Sequence, residues 1–262
     1  MVVLPEGALS GYDDELSGLD SLDSDELAGA LAVVAAAVVR AEVHLFCGSL
    51  QLVDGYWRNA ALYFSPTGGR WTYYKVNLAT NERGRLAAGD SLPVLSVPLA
   101  SASVGVGVQM CREIRYPEQW QVLARAGAQL ITYLTYAANP REPPGVWRSH
   151  LISRAAETQR FVVAANVAHP HQHCPSMIIS PRGQVLVEAS ARDASSLRAE
   201  LDLDDVADWY LGQQRADVVS LQYLDENRPG ARDGARPAAR SRRRSMRLSR
   251  LYGPSAAAYG SR

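Results

Sequence analysis

Cysteine is scarce in this chain of 262 residues: Cys47, Cys111 and Cys174 are its whole supply, and no CxxC pair occurs. Scattered thiols of this kind make neither a disulfide framework nor the ligand spacing of a zinc site, so a reduced compartment is expected. Long apolar runs are lacking too. The longest, Leu27 to Val39, has 13 residues, short of the roughly 18 that a bilayer-spanning helix needs, and it reads as a buried helix. No leader pattern of basic residues, apolar stretch and small-residue cleavage site opens the chain, since MVVLPEG gives way to acids by Asp13; the expected location is cytoplasmic, with no membrane partner.

Net charge is also absent, with 27 Lys and Arg against 27 Asp and Glu, but it is unevenly spread. From Asp225 onward ten Arg face Asp225, Glu226 and Asp233, a net +7 that leaves −7 on residues 1 to 224. This tail of Arg, Pro, Gly, Ala and Ser has almost nothing to bury and is expected to be disordered. Its Arg240-Ser241-Arg242-Arg243-Arg244 run could meet nucleic acid or an acidic surface, but such runs are more often merely solvated, so nucleic acid is an unlikely partner.

The remaining residues, 1 to 224, with a chain average of 47% hydrophobic composition, suffice for one large domain. Val2-Val3-Leu4-Pro5-Glu6 reads as a short strand ending on a carboxylate. Residues 24 to 42 read as a helix capped by Ser24. VHLFCGSLQL predicts a strand, and YWRNAALYFSPTGGRWTYYKVNL a hairpin turning at Ser65-Pro66-Thr67-Gly68-Gly69. Strand SVGVGVQM, helix PEQWQVLARAG, strand AQLITYLTYA, helix GVWRSHLISRAAETQR and strand FVVAANVA then alternate. That alternation predicts an α/β layered fold with helices covering sheets. PSMIIS and QVLVEAS add strands joined at Pro181-Arg182-Gly183.

One thiol is placed for chemistry. Cys111 ends the apolar strand SVGVGVQM and precedes Arg112, Glu113 and Arg115, with Pro117 marking a helix start. A thiol is a useful nucleophile only as thiolate. The nearby arginines favour the anion, Glu113 opposes it, and outward-pointing N–H groups at a helix start could hold an oxyanion. Taken alone, a cysteine after such a strand is more often core than nucleophile, and no base lies close by in sequence. Glu113, Arg115 and Glu118 are expected to form an ion network bracing the turn.

Distant segments complete the pattern. Cys111-Arg112-Glu113-Ile114-Arg115-Tyr116-Pro117-Glu118, Val2-Val3-Leu4-Pro5-Glu6 with Gly11-Tyr12, and Tyr73-Tyr74-Lys75-Val76-Asn77-Leu78 stand in the order of the nitrilase, or carbon-nitrogen hydrolase, superfamily. So do Glu82 before Gly89-Asp90, Asn59 on the hairpin, Arg154 to Glu157 leading to Ala165-Asn166, and Ser180 to Gly183 before Glu188. Residues 1 to about 224 resemble that superfamily. The resemblance implies a four-layer αββα sandwich and a Glu-Lys-Cys triad: Cys111 as nucleophile, Glu6 as general base, and Lys75 with the backbone N–H of Arg112 as oxyanion donors. It gives Glu82 a supporting role in positioning, and it implies no metal and no organic cofactor.

The implied reaction is hydrolysis of a non-peptide C–N bond in an amide or N-carbamoyl compound. Nitrile hydrolysis by the same triad is the alternative, as is an inactive truncated member whose basic tail does the binding. Homodimers or higher homo-oligomers paired through helical faces are implied as well. Tyr133, Thr135 and Tyr136, after the strand that follows the nucleophile's, and His173 in the loop AHPHQHCPS are candidate pocket residues. Metal binding by that loop's histidines is disfavoured for want of ligand spacing.

Two departures stand out. Members of the superfamily carry a βα unit ahead of the base-bearing strand; this sequence starts at that strand, and the unit is expected to be missing. Arg112 stands where nitrile-cleaving members have Trp and amide-cleaving members Tyr, and Asn77 where many amidases have His.

Overall fold

The computed structural model describes residues 1–13, 15–100, 102–189, 193–215 and 217–218. Contacts divide the chain into Met1–Asp225 and Glu226–Arg262. The basic tail read from the sequence lies outside the described residues.

The described part carries two sheets. The first, ordered β1-β2-β3-β4, is built from β1 (Val2–Val3), β2 (Leu45–Val53), β3 (Tyr56–Phe64) and β4 (Arg70–Tyr74). The second, ordered β10-β9-β8-β7-β6-β5, takes β5 (Leu95–Pro98), β6 (Ser103–Met110), β7 (Leu130–Thr135), β8 (Phe161–Asn166), β9 (Met177–Ile179) and β10 (Val185–Glu188). The helices are α1 (Ser24–Ala41), α2 (Pro117–Arg125), α3 (Val146–Thr158) and the short α4 (Trp209–Gly212).

Period-two alternation sets the layers, because successive side chains on a strand face opposite ways. On β2 and β3, Phe46, Ala61 and Tyr63 point inward and join Val106, Val108, Met110 and Tyr133 of the second sheet in one buried cluster. Their neighbours Leu45, Cys47, Ala60, Leu62 and Phe64 point outward, where Val38 of α1 meets them. On the far side α2 lies against β6 and α3 against β8. At Gly107 of β6 a Cβ would come within 3.0 Å of Leu123 of α2, so that contact is close by design of the sequence. The order α1, four-stranded sheet, six-stranded sheet, α2 with α3 is the expected αββα sandwich.

Two local expectations are corrected. The cap of α1 is Asp23, not Ser24: its carboxylate accepts from the backbone N–H of Asp25 and of Glu26. The apolar run inside α1 is not a buried helix either. Leu27 and Val38 are buried, but Val33 is 68% exposed and Val39 43%, because one face of α1 meets the sheet and its other apolar residues face outward. No described helix is long and apolar enough to cross a membrane.

β1 lies at the edge of its sheet, paired in parallel with β2. A cavity of about 680 Å³ runs beside it, lined by Val3, Pro5, Val163, Ser176, Leu201 and others, but not by Lys75, Glu82 or Cys111.

Candidate active site

The chain just past β1 is held against β2. The Gly48 N–H donates to the Pro5 carbonyl at 3.0 Å, and the Leu9 N–H to the Gly48 carbonyl at 3.1 Å. A Cβ on Gly48 would sit 2.4 Å from the Glu6 Cα, so only glycine lets the Glu6-bearing segment lie this close. Lys75 follows β4 directly, its N–H donating to the Asn59 carbonyl of β3 at 2.9 Å. Cys111 follows β6 and opens a 3₁₀ turn, Cys111–Arg115, ahead of α2. Its φ of 41° is uncommon for a residue with a Cβ, and such conformations persist where surrounding contacts impose them.

These segments bring their charged ends to one place. Lys75 Nζ donates to Glu6 Oε1 at 2.8 Å and to Glu82 Oε1 at 2.9 Å, and all three side chains are fully buried. Asn59 Nδ2 bridges the same two carboxylates at 2.7 and 2.6 Å. The Tyr136 N–H donates to Glu6 Oε2 at 2.8 Å. Glu82 accepts further from the Tyr12 hydroxyl at 2.9 Å and the Ala79 N–H at 2.5 Å.

Burial and mutual charge shape the titration of the cluster. Burial raises the Glu6 carboxyl above the usual carboxylate range, against the pull of Lys75 and with Glu82 adding to the rise. Burial also presses on Glu82, but Lys75 and the N–H groups of Ala79 and Asn59 outweigh it and hold that carboxyl below its ordinary value. Desolvation would discharge Lys75, yet Glu6, Cys111 and Glu82 keep it well above a free lysine, hence cationic. The Cys111 thiol is pushed up to about 12 by burial and by Glu6, with Lys75 opposing. At neutral pH it is therefore a thiol beside a buried carboxyl group and a cation, not a standing thiolate.

The remaining candidates divide. Thr135 is buried with its hydroxyl lacking a hydrogen-bond partner, and Tyr136 touches Glu6 through its backbone while its ring lies 5.5 Å from that of Tyr12. The loop AHPHQHCPS reaches this point through His169, whose ring is 6.4 Å from that of Tyr136. His173 instead packs edge-on against Trp147 at 4.7 Å. Tyr133 is wholly buried, and its hydroxyl donates to the Cys111 carbonyl at 2.7 Å. Arg112 is half-buried, with its Nε enclosed and lacking a hydrogen-bond partner.

The expected Glu113-Arg115-Glu118 ion network is also corrected. Arg115 pairs with Glu142 at 2.7 Å, and Glu113 is buried among backbone N–H groups and Tyr73. Among the described residues no group of three or more His, Cys, Asp or Glu is placed to hold a metal ion.

The family model for carbon-nitrogen hydrolases matches residues 1–211. The chain belongs to the carbon-nitrogen hydrolase family. It is 29% identical over 213 residues to an (R)-stereoselective amidase of Pseudomonas sp, across 79% of this chain and 74% of that protein. It is 30% identical over 216 residues to the 2-oxoglutaramate amidase of Bacillus subtilis, across 79% and 80%. Among solved structures it is similar to a variant of the amidase from Nesterenkonia sp. AN1 with covalent addition of the acetamide moiety of fluoroacetamide at the active site cysteine. The TM-score there is 0.69 at 20% identity, covering 83% of this chain and 81% of that one, a likeness of fold.

Two residues of this carbon-nitrogen hydrolase's cluster escaped the list of candidates drawn from sequence, Asn59 and Tyr12. Both stood in the quoted motifs, but neither has a reactive side chain to single it out. A further signal lay in composition: Lys75 is the only lysine of the chain, all other basic side chains besides histidine being arginine.

Proposed function

We propose that this carbon-nitrogen hydrolase cleaves a non-peptide C–N bond of an amide or N-carbamoyl compound through a thioester on Cys111. The observation that carries the reading is the buried Lys75 ammonium held between Glu6 and Glu82 beside a buried thiol.

With its pKa near 12, the thiol needs a base in step with attack. Glu6, made more basic by burial, takes the proton as sulfur bonds to the carbonyl carbon. Two N–H bonds of Lys75 lie on carboxylates, which leaves its third for the developing oxyanion, with the Arg112 backbone N–H as second donor. As the tetrahedral adduct collapses, the C–N bond breaks and Glu6 returns its proton to the leaving nitrogen, releasing ammonia or an amine. Water then attacks the thioester while Glu6 takes a proton from it. The C–S bond breaks, the acid leaves, and the thiol is restored. Glu82 and Asn59 hold Lys75 and Glu6 in register throughout.

A reduced, cytoplasmic setting belongs to the same proposal, since the three cysteines are free and buried. So does homo-oligomerisation through helical faces, with the exposed Val33 and Val39 of α1 as an apolar surface to cover; sedimentation velocity of the purified chain tests it, and a monomer at all concentrations refutes it. The decisive experiment measures ammonia release from a panel of amides, N-carbamoyl amino acids and nitriles, with intact-mass detection of a Cys111 adduct. Release by wild type and none by Cys111→Ala is expected. Equal release by both overturns the reading, and release from nitriles alone transfers it to nitrile hydrolysis.

A further inference from the structure

Glu113 stands two residues beyond Cys111, in the 3₁₀ turn, yet its carboxylate does not face solvent or a cation. Oε1 accepts the backbone N–H of Val76 at 2.8 Å and of Asn77 at 3.0 Å, the two residues that follow Lys75. Oε2 accepts the N–H of Met110 at 2.8 Å, the residue before Cys111. The Tyr73 hydroxyl, two residues before Lys75, donates to both oxygens at 2.8 and 2.9 Å. The Glu113 side chain is fully buried, and its own carbonyl accepts from Trp120 Nε1 of α2 at 3.1 Å.

Lys75 belongs to the end of the four-stranded sheet and Cys111 to the end of the six-stranded one. No backbone ladder joins those sheets, so the distance between ammonium and thiol depends on what ties the two exits together. We propose that Glu113 is a positioning residue of the reaction: its single carboxylate grips the chain on both sides of Lys75 and immediately before Cys111, and so sets the spacing of cation and nucleophile. The Met110 bond also lies at the base of the left-handed Cys111, where it helps impose the φ of 41° that presents the thiol. This inference rests on the hydrolase reading given above.

The substitution Glu113→Gln keeps the volume but turns one acceptor oxygen into an N–H₂ that faces donors. It is expected to lower kcat by about 10²-fold with KM changed little, the penalty typical of reacting groups misplaced by about an ångström. Glu113→Asp is too short to hold both exits and should not restore the rate, although it restores the charge.

Two readouts separate positioning from mere stability. Because Lys75 is the chain's one lysine, isotope-labelled lysine gives a single side-chain NMR signal, and that signal should shift in Glu113→Gln. The pH profile of Cys111 alkylation by iodoacetamide should move as well. Tyr73→Phe, which removes one donor and leaves the backbone grips, is expected to shift both readouts in the same direction by less, and it stands in should Glu113→Gln not fold.

Folded variants with an unshifted lysine signal, an unchanged alkylation profile and kcat within twofold of wild type would overturn the proposal. So would a loss of activity that merely follows the unfolded fraction in thermal melts. Neither the lysine signal nor alkylation requires turnover, so failure of wild type to hydrolyse any C–N substrate refutes the hydrolase reading separately.

Discussion

Lys75 Nζ lies 2.8 Å from Glu6 Oε1, across 69 residues of sequence, with both side chains wholly removed from water. A buried pair of this kind is weak evidence for stability, but breaking it is costly because a charge is left uncompensated. Here two carboxylates depend on one ammonium. Lys75→Met is therefore expected to abolish turnover and to lower unfolding free energy at pH 7 by about 3–5 kcal/mol. In urea titrations the deficit should shrink as pH falls and Glu6, whose pKa burial raises, takes up a proton and relieves the repulsion. A pH-independent deficit would contradict this account.

The acid limb of activity follows from Glu6. As the proposed base, Glu6 works only when ionised, and its pKa lies above the ordinary carboxylate value. Activity is thus present at high pH and lost as pH falls through that raised pKa. The limb of kcat/KM should sit above the range of a free glutamate, and Glu6→Gln should remove turnover while leaving the fold intact by circular dichroism.

Gly48 is a test of how the base is delivered. The Cβ introduced by Gly48→Ala would fall 2.4 Å from the Glu6 Cα and 2.5 Å from the Pro5 carbonyl oxygen. Both are backbone atoms, so the segment must move. Overpacking of this kind costs about 1–3 kcal/mol, and the displaced base should lower kcat far more than the stability loss accounts for. Turnover at the wild-type rate would show that Glu6 need not be held by β2.

Glu113 predicts a pH dependence of stability. Burial raises its pKa to about 7 from the 4.5 of a free glutamate, against the N–H of Asn77, the Tyr73 hydroxyl, the N–H of Met110 and the charge of Lys75. Burial makes ionisation of Glu113 costly, so the anion whose two oxygens accept from both backbone segments is complete only above about pH 7. Stability from this source is complete below pH 4.5 and is lost as pH rises through about 7. Relative to Glu113→Gln, wild type should lose roughly 3 kcal/mol of unfolding free energy between those limits. Parallel curves for the two proteins would refute it.

Asp23 gives a local control far from the chemistry. Its carboxylate accepts from Asp25 N–H at 2.8 Å and Glu26 N–H at 3.2 Å. Asp23→Ala should cost about 1 kcal/mol in thermal or urea unfolding and leave kcat unchanged.

Much of the fold was legible in the chain because its signals are local. The apolar stretch VHLFCGSLQL marked β2, and Ser65 to Gly69 marked the hairpin turn. Pro117 marked the start of α2. The cap of α1 was misplaced by one residue because Asp23 and Ser24 are both good caps, and only backbone geometry chooses between them. The burial of α1 was overestimated because hydrophobicity alone does not say which apolar face finds a partner.

At the site, sequence determined the proposed reactive groups: Glu6, Lys75, Glu82 and Cys111 are there as residue types in a recognisable order. Tertiary structure alone decided what those groups are. It excluded water from Lys75, raised Glu6 while lowering Glu82, and placed Asn59 and Tyr12 on the carboxylates. It also turned Glu113 from an expected member of an ion network bracing the turn into a buried acceptor of backbone N–H groups from both sheets. The physical reason is that desolvation and hydrogen bonding depend on neighbours brought from far along the chain, such as Tyr136 on Glu6 across 130 residues, and no local pattern encodes those contacts.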